Sequence, residues 1–192
     1  MRTFAIGLLV VLGVLTVSMA DAGEPDCRFD SESMLKLDFN TFDQTQGQGW
    51  RVVAEQTGCE LAAADLIRAY IDRHQTNHVV IVFHEAQLRA KAGETERAIG
   101  LFSQARLDDG KMSAFGWNEY VDATIAFLEK DRQMLLVARD RLAALEKPEN
   151  FSARDRHGKP MDIEWPPNMR MVDGFVACFD KTYAVAYDTC SQ

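Results

Sequence analysis

The stretch FHEAQLRAKAGETERAIGLFSQARLDDG, residues 83–110, decides how the chain is read. Its opening His84-Glu85 pair could begin a metal motif, whereas Gly93, Ala98, Phe102 and Ala105 have the spacing of a packed joint. A helical zinc hydrolase needs a second histidine four residues after the first, and that position is Leu88. His84 and Glu85 point about 100° apart around a helix, so they do not serve one metal. Glu85 pairs instead with Arg89 at i,i+4. Val79–Phe83 alone has the β-branched composition of a strand. The helix formers that follow it favour one helix with Val79, Val82, Phe83, Ala86 and Ala90 on one face. Gly93 suits the left-handed position after its end. Ala98, Leu101, Phe102 and Ala105 face inward on the next helix, and the short link makes the two an antiparallel αα-hairpin. The stretch reads as scaffold, not as a metal site.

The same period extends outward. ELAAADLIRAYIDRH (60–74) places Ala62, Ala63, Leu66, Ile67, Tyr70 and Ile71 on one side, with Asp65, Arg68 and Asp72 opposite. Trp117, Tyr120, Val121, Thr124 and Leu128 form a helical stripe, and Leu135, Ala138, Leu142 and Leu145 form another that stops before Pro148. Residues 149–169 hold Gly158, Pro160, Pro166 and Pro167 and read as an irregular loop. Helicity resumes through Met171, Val172, Phe175, Val176 and Phe179, and YAVAYDTC (183–190) reads as a closing helix.

Gly58, Ala63, Ile67 and Tyr70 recur 35 residues later as Gly93, Ala98, Phe102 and Ala105. Small residues at the first and fourth of these positions let two helices approach closely, and the larger third fills the gap between successive hairpins. This arrangement resembles a tetratricopeptide repeat, closely over residues 79–109 and less so over 44–74 and 115–147. The chain also looks like a group of small exported bacterial proteins without an assigned activity. The expected fold is all-α: antiparallel helical hairpins stacked as a short tetratricopeptide-like solenoid. The resemblance implies a binding scaffold whose groove is lined by the helices at 79–92 and 115–129. The expected lining residues are His84, Gln87, Lys91, Asn118 and Asp122.

MRTFAIGLLVVLGVLTVSMADAG opens with a basic residue, an uncharged apolar run from Ile6 to Met19, and small residues. This is the pattern of a secretory signal over residues 1–22, cleaved after Ala20 or Ala22. Residues 23–192 then form one helical-repeat domain, periplasmic or secreted, with no stable membrane anchor after cleavage. The formal net charge is −8. Such a surface repels nucleic acid and favours a protein or peptide partner that is basic. Cys27, Cys59, Cys178 and Cys190 suggest two disulfides in an oxidising compartment. Three pairings are possible. The Cys178–Cys190 bridge is disfavoured if both halves of that segment are helical, since the sulfurs would point to opposite ends. Bridges from the N-terminal part to the C-terminal helices would close longer loops.

No catalytic, metal or cofactor set assembles from the residues. His74 and His78 span a helix break, which denies them fixed ligand geometry. DFNTFDQTQGQG has Phe42 at the fifth loop position and no twelfth glutamate, so it is no EF-hand. There is no G-x-S-x-G elbow and no glycine-rich phosphate loop. The expectation is an exported, non-catalytic protein-binding scaffold. Two alternatives are an envelope hydrolase using Glu85 and Asp122 as its carboxylates, and an antagonist of a basic exported enzyme. N-terminal sequencing of the exported form is expected to begin at Asp21 or Gly23; an intact Met1 would overturn the signal.

Overall fold

The computed structural model describes residues 25–108, 115–149, 151–154 and 158–192. The expected signal segment lies outside them. The order is α1 (Ser31–Met34), a π-helical turn (Asn40–Gln44), α2 (Trp50–Ala54), α3 (Glu60–His74), α4 (Val79–Lys91) and α5 (Thr95–Gln104). Then come α6 (Trp117–Leu128), α7 (Arg132–Ala143), β1 (Ala153–Arg154), β2 (Pro160–Met161), α8 (Met169–Ala177) and α9 (Tyr183–Asp188). The architecture is helical, with one two-residue antiparallel ladder pairing Ala153 with Met161 and Arg154 with Pro160.

Val79–Phe83 is the first turn and a half of α4, not a strand. His78 stands extended before it, and its ring Nδ1 accepts the Val80 N–H at 3.3 Å, meeting one of the donors a helix start leaves open. Gln75 ends α3 in the left-handed conformation. His74 stacks on Tyr70 and its Nε2 lies 2.9 Å from the Leu35 carbonyl. The two histidines therefore hold separate structural posts. Gly93, at φ +87°, turns the chain from α4 into α5.

Consecutive helices from α2 to α7 lie against one another, α8 closes onto α6 and α7, and α9 reaches back from α8 to α4. The positions 35 apart are buried in both places: Ala63 and Ala98, Ile67 and Phe102, Tyr70 and Ala105. Phe127 stacks on Phe175 at 5.0 Å, and Tyr183 of α9 borders Phe102, Phe127 and Phe175. The core is thus one continuous aromatic and aliphatic body.

Its largest polar inclusion joins α3, α4 and α5. Glu85 has no exposed side-chain surface and Arg89 only 1%. Arg89 Nε donates to Glu85 Oε1 at 2.8 Å, and its terminal nitrogens reach Glu94 and Asp65, each at 2.8 Å. Arg68 closes the other side, donating to Glu85 Oε2 through Nε at 3.0 Å and a terminal nitrogen at 2.5 Å. The i,i+4 pair expected between Glu85 and Arg89 is present, but as part of a buried network and not a surface pair. A surface pair contributes a few tenths of a kcal/mol; removal of one partner from a buried set strands the other charge.

Two expectations are corrected. The disulfides are Cys27–Cys59 and Cys178–Cys190, with Cα separations of 5.7 and 6.3 Å, so neither ties the N-terminal part to the C-terminal helices. The local bridge forms because Cys178 lies just past α8, outside helical geometry, and because α9 has only six residues. Six residues advance about 9 Å, and the tail then folds back over α8. A Cβ on Gly174 would lie 2.1 Å from the Ser191 hydroxyl. The loop at 149–169 is not wholly irregular either. It contains the β1–β2 ladder, and Trp165 anchors it by donating its indole N–H to the Leu145 carbonyl at 2.8 Å. Phe151 packs on Trp165, with ring centroids 4.9 Å apart.

Glu85→Ala should destabilise the fold by about 3–5 kcal/mol, because Arg68 and Arg89 lose their shared carboxylate. Glu32→Ala, whose carboxylate is exposed, should cost less than about 1 kcal/mol. Chemical denaturation at neutral pH measures both; equal losses would show that the buried network contributes no more than a surface pair.

Candidate functional site

The face of α4 that carries His84, Gln87, Leu88 and Lys91 follows i, i+3, i+4 and i+7. These four side chains border one cleft of about 370 Å³. Its opposite wall is Trp50, Arg51 and Ala54 of α2, and Tyr187 of α9 closes one side. Glu55, Glu60 and Gln46 complete the rim.

The α2 wall is fixed by a buried carboxylate. Asp43 lies in the π-helical turn with no exposed side-chain surface. It accepts from Trp50 Nε1 at 2.9 Å, Gln44 Nε2 at 2.5 Å and His84 Nδ1 at 2.8 Å. A carboxylate accepts, so His84 carries its hydrogen on Nδ1 and leaves Nε2 on the other edge of the ring. Burial pushes the Asp43 carboxyl up, but the His84, Trp50 and Gln44 hydrogen bonds outweigh it and hold the group below its ordinary value of 3.8. The turn reaches α2 through Gly49 at φ +56°, where a Cβ would lie 1.9 Å from the Phe42 carbonyl oxygen. Only glycine fits there.

The two cations of the cleft each cover a ring. The Arg51 guanidinium sits 4.2 Å from the Trp50 ring centroid and donates to the Asp43 main-chain carbonyl. Its desolvation lowers its pKa, against the opposing pull of Asp43. Lys91 Nζ lies 4.9 Å from the Tyr187 centroid and 2.6 Å from Asp188.

Of the five residues expected to line a groove, His84, Gln87 and Lys91 share this cleft. Asn118 and Asp122 lie elsewhere. Asn118 grips the main chain of Leu107, accepting its N–H at 2.9 Å and donating to its carbonyl at 2.7 Å. Asp122 is held by Arg106 and by Arg141, the latter at 3.0 Å. The resemblance placed the groove between α4 and α6, but α9 sits against α4 there and brings Tyr183 and Tyr187 beside buried Tyr120. Burial raises the pKa of Tyr120 and of Tyr183 well above 10.0. The open face of α4 is instead the one toward α2. Glu85 and Asp122 are each committed to arginines of their own and face no common cavity among those found in the described residues. Among the described residues no three histidine, cysteine or acidic side chains gather as metal ligands.

Sequence reasoning missed Asp43, Trp50 and Arg51. Their assembly depends on a turn of rare geometry that carries no periodic signal. No known protein family, curated protein or solved structure matches the chain.

Because the folded pKa of Asp43 is depressed, its contribution to stability is present above pH 3.8 and is lost as pH falls through the lower folded value. Asp43→Asn should therefore be less stable than the native chain at pH 7, with the gap narrowing below pH 3.8. Urea unfolding followed by tryptophan emission across pH 2–7 measures this; a gap that is constant with pH would assign the loss to packing alone.

Proposed function

We propose that the chain is an exported, non-catalytic scaffold that binds a protein or peptide in the cleft between α2, α4 and α9. In this reading α2 with α3, α4 with α5, and α6 with α7 are antiparallel hairpins, stacked as a short solenoid that resembles tetratricopeptide units. The observation that carries the proposal is the cleft itself. One helix face presents His84, Gln87 and Lys91 toward a wall of Trp50 and Arg51 that is locked from behind by Asp43. Aromatic, aliphatic and paired polar groups in a preformed concavity are the usual composition of a recognition site.

Two disulfides fit an oxidising, extracytoplasmic setting. No helix among the described residues is long and apolar enough to cross a membrane. A periplasmic or secreted location is the finer form of this reading. The net charge of −8 favours a basic partner by steering, since opposite charge raises association rates.

A photo-crosslinking residue at Gln87 should capture the partner in the native organism, whereas one at exposed Gln133 of α7 should not. Trp50→Ala should reduce the Gln87 capture by about tenfold or more, as removal of a central aromatic anchor does. Equal capture from both positions, or capture indifferent to Trp50, would place recognition outside the cleft.

A further inference from the structure

The helix that fills the seam beside α4 is weakly held except by a covalent tie. Six residues are too few for α9 to stand as a helix alone. Of these six, Tyr183 and Ala186 are buried. The Tyr183 ring packs well, but its hydroxyl is sealed from water with no hydrogen-bond partner among the described residues. The Gln87 amide approaches it without the geometry of a hydrogen bond. An unmet buried hydroxyl disfavours the docked state, and water would meet it once α9 left. The start of α9 is gripped from α6, since the Lys130 ammonium donates to the Phe179 and Lys181 carbonyls, each at 3.0 Å. The far end is held differently. Its Asp188 pairs with Lys91 but stays half exposed. The Ser191 hydroxyl donates at 2.9 Å to Ala186, within the same tail. The firm tie there is the Cys178–Cys190 bridge.

That bridge encloses α9 whole. It joins the residue after α8 to the second residue after α9, twelve positions on. The two disulfides also differ in access. Cys178 and Cys190 each keep part of their surface in water. Cys59 is 1% exposed, so the Cys27–Cys59 bridge can be approached from the Cys27 side alone. Thiol–disulfide exchange requires an attacking thiolate to reach a sulfur.

We propose that α9 is a redox-released strap. Reduction of Cys178–Cys190 frees it from α4, while α2 to α7 keep their packing. A dithiol of the C-x-x-C class supplies the electrons. Its thiolate attacks one sulfur of the bridge, the S–S bond breaks, and the other cysteine leaves as a thiolate and takes a proton. The second thiol of the reductant then displaces the remaining cysteine, which also takes a proton, and the reductant ends as a disulfide. The chain has gained two electrons and two protons. Release uncovers Tyr120 and Phe102, and it removes Tyr187 from the side of the cleft between α2 and α4. Reoxidation seats the strap again. The device acts whatever the cleft binds, so it stands apart from the scaffold reading.

The test is a titration of the full chain with dithiothreitol at neutral pH. Free thiols are trapped with iodoacetamide and located by mass spectrometry, and amide hydrogen exchange is followed in parallel. Cys178 and Cys190 should be trapped at lower reductant than Cys27 and Cys59. Exchange across residues 183–188 should then rise by about a hundredfold, the closure lost with a loop of this length in the chain-entropy model. Residues 60–74, 79–91 and 95–104 should keep their protection. Cys178→Ser combined with Cys190→Ser should show the same fast exchange without reductant, whereas Cys27→Ser combined with Cys59→Ser should leave α9 protected. Equal acceleration from α3 to α7, or failure of the Cys178→Ser, Cys190→Ser chain to fold, would make the bridge a general staple and overturn the inference. So would native protection of 183–188 once both thiols are free, or a Cys178–Cys190 bridge that does not open before Cys27–Cys59.

Discussion

The Glu85 carboxylate is the point on which the described fold turns. It is sealed from water, and arginines from two helices close on its two oxygens. Each charge is tolerable in the interior only because the others are in place. The set fixes the rotation of α3 against α4, since Arg68 and Asp65 must both face the seam, and the reach to Glu94 fixes the start of α5. Apolar packing of alanines and phenylalanines would tolerate small slips along the same seam. Three geometrically exact hydrogen-bonded contacts around one guanidinium do not.

That constraint also decides which side of α4 is open. With Glu85 and Arg89 committed to the interior, the adjacent stripe of His84, Gln87 and Lys91 turns toward α2. The buried Asp43 holds His84 and Trp50 together, so the wall is rigid at the level of individual donors and acceptors. The C-terminal helix α9 settles against α4 and fills with tyrosines the space that a groove between α4 and α6 would occupy. The architecture thus closes one concavity and leaves another.

Much of this was legible in the chain. The period of 79–92 and 94–107, the stop at Gly93 and the Glu85–Arg89 spacing are local facts, and local facts survive folding. The joining of Asp65 and Arg68 to that pair was not legible, because nothing local sets which face of α3 meets α4. Asn118 and Asp122 looked like lining residues from helical position alone. Their actual partners, Leu107, Arg106 and Arg141, come from neighbouring segments whose approach the sequence does not state. The Cys178–Cys190 pairing is disfavoured only while both cysteines sit within helices; in the fold each lies past the end of its helix, so the tail can return and bring the sulfurs together. Asp43, Trp50 and Arg51 depend on a π-helical turn and on Gly49, geometry that no hydrophobic period announces.

The three tryptophans occupy three different junctions: Trp50 between the π turn and α4, Trp117 at the passage from α5 to α6, and Trp165 where the loop docks on the end of α7. Each indole nitrogen donates to a distinct acceptor, a carboxylate in the first case and carbonyls in the others. The chain therefore carries its own set of spectroscopic probes, one per region. The first also borders the His84 ring, with centroids 5.2 Å apart, so the three indole N–H groups stand in different surroundings and loosening at one end can be followed separately from loosening at the other without any added label.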